Sequence, residues 1–274
     1  MRGRLKGGRR ESNSPIIAGD WVKVERGGTA EYIINKVEKR HSNFTRTSSG
    51  SRAYEQIVAV NFEQLVIISS SRQPSFKAGF IDRAIVIALW GNLVPIIVIN
   101  KIDLGVSEQI TRAVSVYEQL GYQILQTSAV NGQGITELKG LLESSDSAIV
   151  GHSGVGKSTL LNAIDPQLSL RTQEIMLQHD RGRHTTTAVQ LYPLERGGYV
   201  ADTPGIKELQ LCGIQRSDVA SYFEDMLPHV DQCKFRDCSH LNEPECRVRI
   251  AVQDGLVTEH RYESYARIME SLSV

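Results

Sequence analysis

The chain has 274 residues with 31 Lys and Arg against 31 Asp and Glu, so its formal net charge is zero. Its length allows two or three small domains, and no apolar run reaches the roughly 20 residues that a membrane-spanning helix requires. The charge is uneven, because the chain up to Arg83 holds 15 basic and 8 acidic residues while the rest holds 16 and 23. The basic end offers sequence-independent contacts to nucleic-acid phosphates, although a solvated terminus would have the same composition.

The N-terminal part predicts short β-strands at residues 20–25 (DWVKVE) and 31–37 (EYIINKV). Residues 41–52 are rich in Ser, Thr and Arg, which predicts a linker-like loop that could also contact RNA. The apolar run AIVIALW at residues 84–90 follows FIDR and is typical of a buried helix.

Two short motifs indicate a guanine site. Residues 94–99 (VPIIVI) predict a buried parallel strand, and the sequence NKID at 100–103 follows at its carboxyl end, where α/β sheets bind ligands. The Asp103 carboxylate can accept from N1 and N2 of guanine, whereas adenine offers no such donor pair. The sequence TSA at 127–129 follows a strand-like segment and resembles a second guanine element, in which a backbone N–H meets O6. The candidate base contacts are therefore Asn100, Lys101, Asp103, Ser128 and Ala129; each motif alone has the alternative of a chance match at a strand end.

The sequence GHSGVGKST at residues 151–159 has the pattern of a phosphate-binding loop. It follows the apolar residues 147–150 and precedes a helix-like segment at 160–164, which is the context this motif requires. Its glycines let successive N–H groups face phosphate oxygens, Lys157 neutralises the β- and γ-phosphates, and the Ser158 hydroxyl ligates magnesium. The candidate contacts are Gly151, Ser153, Gly154, Val155, Gly156, Lys157, Ser158 and Thr159. A chance glycine-rich turn is the alternative, and it would need all these positions to coincide with the correct flanks.

Two later segments have the features of nucleotide-sensing switches. The sequence DTPG matches the DxxG motif, in which Asp202 holds magnesium through water and the Gly205 amide senses the γ-phosphate. The polar segment DRGRHTTT at residues 180–187 should supply a threonine to the metal, either Thr186 or Thr187. The alternative for this segment is a solvated, charge-rich loop.

The residue after the DxxG glycine bears on catalysis, because Ras-like proteins carry a water-orienting glutamine there. Here the position is Ile206, which cannot orient water, so slow intrinsic hydrolysis is expected unless another group or a partner contributes. His184 is the candidate substitute, because a neutral imidazole can position water or accept its proton. An exposed loop histidine is the alternative reading. Lys157 is the second candidate catalytic residue.

The order of these motifs is inverted, because the guanine elements precede the phosphate loop. This order predicts a circularly permuted α/β GTPase domain, which is possible because the termini of compact domains often lie close together. One consequence is that the last switch leads directly into the C-terminal segment. Nucleotide state can therefore be coupled to that segment.

The C-terminal segment contains a cluster of metal-ligating residues, namely Cys233, Cys238, His240 and Cys246. Three cysteines and one histidine fit a closed tetrahedral zinc site, although the spacing C-x4-C-x-H-x5-C is not that of a standard finger. Disulfides are not expected in a chain without a signal peptide, and Cys212 is left over. The alternative is a group of buried, reduced cysteines. A zinc ion held by four protein ligands would be structural, and would stabilise a helical tail with little core of its own.

The permuted motif order, the sequence GRHTTT, the hydrophobic residue at 206 and the Cys3His cluster together resemble the bacterial ribosome small-subunit-dependent GTPase A family over residues 15–274. The resemblance implies an N-terminal OB-fold, a permuted GTPase centre and a C-terminal zinc domain. It also implies a role late in small-subunit maturation, with hydrolysis stimulated by the subunit and release of this factor or of a companion assembly factor. It assigns guanine contacts to Asn100, Lys101 and Asp103, phosphate contacts to residues 154–159, zinc ligation to the cluster and a catalytic role to His184.

On this resemblance we expect a partial OB-fold-like RNA-binding module at residues 1–55, the permuted GTPase domain at 56–211 and the zinc-binding helical domain at 212–274. Family members carry about two more strands before the segment that resembles residues 1–4. The strands at 20–25 and 31–37 cannot close a five-stranded barrel alone. Either the module is partial, with an exposed edge, or the start codon lies further upstream.

The expected reaction is hydrolysis of GTP to GDP and phosphate by a cytoplasmic protein that uses magnesium and one structural zinc. The expected partners are the small ribosomal subunit, its rRNA and other assembly factors, with no membrane and a monomeric state. Two alternatives remain open at the level of the sequence: a GTP-sensing RNA-binding module without turnover, and a permuted GTPase with a non-ribosomal partner.

Overall fold

The structure is a computed structural model, which describes residues 3–5, 16–26, 32–47, 55–168, 170, 189–202, 209 and 211–272. Three short strands lie at the N-terminal side: β1 (Gly3–Leu5), β2 (Val22–Arg26) and β3 (Tyr32–Val37). Their order is β1-β3-β2, with β1 parallel and β2 antiparallel to β3. Within the described residues these three strands form an open sheet.

A two-stranded hairpin follows, formed by β4 (Asn43–Thr47) and β5 (Glu55–Val60). The prediction of a linker-like loop over 41–52 is therefore wrong for Asn43–Thr47. These polar residues become a strand because they pair with β5 and because Phe44, only 1% exposed, enters the main core. The preceding segment contacts the hairpin at Gly19, where an added Cβ would lie 1.9 Å from the Val60 carbonyl oxygen, so no side chain fits.

The central sheet has six strands in the order β10-β11-β9-β6-β7-β8, all parallel except β10. The strands are β6 (Gln64–Ser70), β7 (Val94–Asn100), β8 (Gln123–Gln126), β9 (Ser147–Val150), β10 (Gln190–Pro193) and β11 (Tyr199–Asp202). The strands that the sequence predicted at β7, β8 and β9 are confirmed. The fully buried β6 was not predicted, although it lies in the middle of the sheet and pairs with β7 and β9.

Helices cover both faces of the sheet, since successive side chains of a strand point to opposite faces. These helices are α1 (Ala78–Trp90), α2 (Glu108–Gln119), α3 (Ile135–Ser144) and α4 (Lys157–Ile164). Leu65 and Ile67 of β6 pack in one core cluster with α1 and α2, whereas Val66 and Ile68 pack in the other with α3 and α4. The predicted buried helix at 84–90 is the second half of α1.

The C-terminal region consists of a 3-10 helix at Arg216–Tyr222 and of α5 (Leu227–Val230), α6 (Arg247–Gln253) and α7 (Glu259–Ser271). Its apolar side chains do not form a core of their own. Instead, residues such as Phe223, Val248 and Tyr265 belong to the same buried cluster as α1. None of the helices in the described ranges combines the length and apolar character needed to span a bilayer.

Candidate nucleotide and metal sites

The predicted guanine and phosphate motifs lie together at one edge of the central sheet. The strands β7, β8 and β9 are parallel, so their carboxyl ends meet at this edge. Asn100, at the end of β7, is 1% exposed, and its side-chain amide donates to the Val155 carbonyl at 2.8 Å. Thr127, after β8, donates its hydroxyl to the Asn100 Oδ1 at 3.2 Å. The Asn100 side chain thus joins both guanine motifs to the phosphate loop.

Gly156 shows how closely these motifs approach each other. Its φ is +97°, and an added Cβ would lie 2.5 Å from the Asn100 Nδ2. A residue other than glycine would therefore be strained in its backbone and would collide with Asn100. Gly151 has a similar restriction, because its Cβ would lie 2.5 Å from the Ile68 carbonyl oxygen.

Two side chains of the NKID motif point to different partners. Lys101 donates its ammonium to the Gly154 carbonyl at 2.6 Å and also to the Gln73 carbonyl. Asp103 is exposed, and its Oδ1 accepts from the Ser128 hydroxyl at 2.5 Å. One carboxylate oxygen of Asp103 is thereby held in place, which orients the group that the sequence assigns to guanine.

The two candidates in the second guanine motif have different environments. The Ser128 N–H donates to the Gln133 carbonyl at 3.0 Å, so the contribution of Ser128 at this site is made through its hydroxyl. Ala129 follows in the same loop and is partly buried against the core cluster that contains α3 and α4. Its backbone N–H is accordingly the better candidate for guanine O6.

The phosphate loop connects β9 to α4, as predicted. Gly154 and Gly156 have φ of +86° and +97°, and Gly156 precedes α4 without a side-chain cap. The N-terminus of α4 therefore lies at the loop, where backbone N–H groups and the helix dipole favour an anion. Lys157 begins α4 and donates to the Gly151 and His152 carbonyls at 2.7 and 3.2 Å. Ser158 and Thr159 occupy the same first turn.

His152 was not singled out by the sequence, although it lies inside the phosphate-loop motif. Its ring centroid is 4.2 Å from that of Phe80 in α1. Burial lowers the pKa of the His152 imidazole, and the nearby Lys77 and Lys157 lower it further. Both effects favour the neutral form of the ring.

Only a small part of the two predicted switch segments lies within the described residues. Asp202 ends β11, and its backbone is in register with Ile149 of β9, two residues before the phosphate loop. The backbone of the DxxG aspartate thus lies at the same edge of the sheet as the phosphate loop. The remaining switch residues lie outside the described residues, namely His184, Thr186, Thr187, Gly205 and Ile206.

The predicted metal cluster is assembled in space. The ligand atoms of Cys233, Cys238, His240 and Cys246 all lie within 4.8 Å of one another. The His240 Nδ1 is 3.4 Å from the Cys233 Sγ and 3.5 Å from the Cys246 Sγ, and these two sulfurs are 3.9 Å apart. Ligands at about 2.3 Å from a tetrahedral zinc ion are about 3.8 Å apart. The geometry therefore fits zinc, and all four cysteines of the chain are free of disulfides.

Helix α7 holds the metal cluster through two hydrogen bonds, and the burial of the cysteine thiols favours a bound cation. Tyr262 and Tyr265 donate their hydroxyls to the carbonyls of His240 and Ser239, each at 2.8 Å. Burial raises the pKa of the Cys238 thiol to about 12 and also raises that of Cys246. Buried thiolates require a positive charge beside them, which a zinc ion would supply.

The chain has the features of a circularly permuted P-loop GTPase: its motifs are in permuted order, a glycine loop precedes α4, and the guanine elements lie at the same edge of the sheet. A family model described as RsgA GTPase matches residues 37–212. The small ribosomal subunit biogenesis GTPase RsgA of Chlorobaculum tepidum is 40% identical over 271 residues, which cover 96% of this chain and 87% of that protein. The protein of the same name from Moorella thermoacetica is 39% identical, with the same coverage. The chain therefore belongs to the RsgA GTPase family and is a GTP-hydrolysing enzyme.

Solved structures agree with this assignment. The crystal structure of YjeQ from Thermotoga maritima matches with a TM-score of 0.79 and 35% identity, covering 98% of this chain and 88% of that one. The structure of YloQ, described as a circularly permuted GTPase, matches with a TM-score of 0.72 and 29% identity, covering 99% and 85%.

Proposed function

We propose that this protein hydrolyses GTP during biogenesis of the small ribosomal subunit, and that it binds the subunit and is stimulated by it. The proposal of GTP hydrolysis rests on the hydrogen bonds of the Asn100 side chain, which join the guanine motifs to the phosphate loop at one edge of the sheet. The ribosomal part is supported by the names of relatives that align with 96% of the chain.

The guanine base is recognised by the ends of β7 and β8. Asp103 accepts from N1 and N2 of the base, with its carboxylate oriented by the Ser128 hydroxyl. Asn100 faces N7 and the phosphate loop, the Ala129 N–H donates to O6, and the aliphatic part of Lys101 covers one face of the ring. Because Asp103 would be left unpaired opposite adenine, ATP is excluded.

The phosphates are held by backbone N–H groups of residues 151–159 and by the N-terminus of α4. Lys157 leaves the Gly151 and His152 carbonyls to contact the β- and γ-phosphates. Ser158, Asp202 and either Thr186 or Thr187 form the proposed magnesium-binding set, a hydroxyl and carboxylate combination that suits this hard cation. Bound magnesium would neutralise charge on the phosphates as the γ-phosphoryl group transfers to water.

Transfer to water requires a group that orients the attacking molecule, and Ile206 cannot do this. His184 is the proposed substitute within the chain, and the ribosomal subunit is proposed to bring the switch residues into place. With this arrangement we expect slow GTP turnover by the protein alone and faster turnover on the subunit.

The Cys233, Cys238, His240 and Cys246 cluster is proposed to hold one zinc ion. All four coordination positions are filled by protein, so this ion would be structural and would take no part in hydrolysis. The C-terminal region that it stabilises, together with the basic N-terminal part, is proposed to contact the subunit and its rRNA in the cytoplasm.

The test is GTP turnover by zinc-loaded protein, alone and with purified small ribosomal subunits, with ATP and Lys157→Ala as controls. We expect the subunit to raise GTP turnover about tenfold or more, which is about 1.4 kcal/mol off the barrier. ATP should not be hydrolysed, and Lys157→Ala should be inactive in both conditions. Tight GTP binding without stimulation would contradict the ribosome-activated mechanism and would favour a GTP-sensing module.

A further inference from the structure

The end of β6 contacts the guanine motif from the side opposite to β8. In the central sheet β7 lies between β6 and β8, and Ser70 of β6 is in register with Asn100 of β7. The next residue, Ser71, is only 5% exposed. Ser71 belongs to none of the motifs that the sequence indicated, yet its backbone and side chain both bind the NKID segment.

The two hydrogen bonds of Ser71 are directed at the peptide groups on either side of Lys101. The Ser71 N–H donates to the Asn100 carbonyl at 2.9 Å, and the Ser71 hydroxyl donates to the Lys101 carbonyl at 2.6 Å. These two carbonyls precede and follow the Lys101 Cα. Holding both of them therefore fixes the φ and ψ of Lys101.

The Lys101 backbone needs such support, because its φ of 62° is in the left-handed region that non-glycine residues rarely adopt. The consequence of this turn is that Asn100 is buried beside the phosphate loop while Asp103 is exposed at the base-binding side. If Lys101 relaxed to an ordinary extended or helical conformation, Asn100 and Asp103 could not face one base together.

The loop after Ser71 holds the Lys101 side chain as well. The Gln73 carbonyl accepts from the Lys101 ammonium, which also binds the Gly154 carbonyl at 2.6 Å. This part of the loop is itself held by the Ser70 hydroxyl, which donates to the Pro74 carbonyl at 2.8 Å. Backbone and side chain of Lys101 are thus both attached to the segment that follows β6.

We infer that Ser71 is a positioning residue for guanine recognition: by holding the peptide groups around Lys101, it sets the relative direction of Asn100 and Asp103. This inference rests on the proposed binding of guanine by these two residues. Ser71 acts through the NKID backbone and makes no contact of its own in the proposed site.

The test measures the dissociation constants of GDP and IDP, since IDP lacks the 2-amino group that Asp103 would accept from. Loss of one hydrogen bond of this kind is expected to weaken GDP binding about three- to tenfold in Ser71→Ala. IDP should be affected less, because it has only one of the two contacts to Asp103. The preference for GDP over IDP should therefore narrow in Ser71→Ala and be restored in Ser71→Thr, which keeps the hydroxyl.

A matched control is Ser42→Ala, because the buried Ser42 hydroxyl also donates to a carbonyl, that of Phe62 at 2.5 Å, but far from the site. This variant should lower the melting temperature without changing the GDP-to-IDP ratio. If Ser71→Ala does not fold, Ser71→Cys, which has a similar volume and a weaker donor, is measured in its place.

Equal weakening of GDP and IDP by the Ser71 variant, or unchanged GDP binding, would show that Ser71 has only a structural role. Failure of the wild-type protein to prefer GDP over IDP would instead contradict the proposed guanine site. The two failures are therefore distinguishable in the same titration.

Discussion

Arg261 in α7 and Asp82 in α1 form an ion pair at 2.8 Å in which neither side chain is exposed. The residues are 179 positions apart, and Arg261 also binds Asp225 at 3.0 Å while Asp82 accepts from the Tyr117 hydroxyl at 2.8 Å. This buried network attaches the C-terminal helix to the first helix of the GTPase core. Any movement of α7 must therefore be shared with α1 or break the network.

We expect Arg261→Met to reduce the free energy of unfolding by about 3–5 kcal/mol, because it leaves the carboxylates of Asp82 and Asp225 buried without their cation. Denaturant unfolding at pH 7 is the measurement. Arg112→Ala is the control, since Arg112 pairs with Glu108 on the surface and such pairs contribute about 0–1 kcal/mol. Similar losses in the two variants would contradict the view that the network joins the two regions.

Gly156→Ala should weaken GTP and GDP binding about tenfold or more, because the new Cβ would lie 2.5 Å from the Asn100 Nδ2 at a φ of +97°. Calorimetric titration measures the effect. Gly140→Ala is the matched control, because an added Cβ at Gly140 in α3 has no atom within 4 Å. The control should bind normally and gain about 1 kcal/mol of stability from helix propensity.

Asp103→Asn should exchange guanine for xanthine specificity. The amide oxygen of the new residue still accepts from N1 of either base. Its amide nitrogen is a donor, so it opposes the 2-amino group of guanine, which is also a donor, but can donate to O2 of xanthine. We expect GDP affinity to fall by about two orders of magnitude and XDP affinity to rise. Competition between GDP and XDP measures the exchange, and unchanged preference for GDP would place the base elsewhere.

Removal of zinc should destabilise more than the C-terminal region. Cys246 is 2% exposed, belongs to the main core and directly precedes α6, so loss of the metal disturbs packing against α1. We expect one zinc ion per chain by elemental analysis and a fall in melting temperature of about 6 °C or more with a chelator. Cys246→Ser should lose the metal, whereas Cys212→Ser should retain it. Zinc-free protein with an unchanged melting temperature would refute the structural role.

The pH dependence of stability should contain a contribution from His152. Its folded-state pKa is lowered, chiefly by burial, so below about pH 6.5 the unfolded chain binds a proton that the folded protein does not. The neutral His152 ring therefore contributes to the free energy of unfolding above about pH 6.5. This contribution is lost as the pH falls towards the pKa of the folded state. His152→Gln should flatten the stability curve below about pH 6.5 and leave only a constant offset above pH 7. An unchanged slope below pH 6.5 would contradict this assignment.

The motifs could be predicted because each depends on local chemistry. Gly156 lies in a glycine-rich pattern that phosphate loops require. The NKID and TSA motifs indicate a guanine site because both occur in one chain, each after a strand-like segment. The strand β6 was missed because its short apolar run carries no periodic signal, and Asn43–Thr47 was missed because polar residues form a strand there only by pairing with β5. Ser71 could not be recognised at all, since its role depends on which strand lies beside β7.

The linear order of residues was sufficient for the permuted GTPase class, for locating the candidate guanine and phosphate motifs and for the Cys3His cluster, because these follow from side-chain chemistry at short spacing. Packing determined the rest. The core shared by α1 and α7, the Arg261 network and the support of Lys101 by Ser71 all join residues that are distant in the chain. Such contacts have no signature in the sequence, because burial and hydrogen-bond geometry arise only when the elements are brought together.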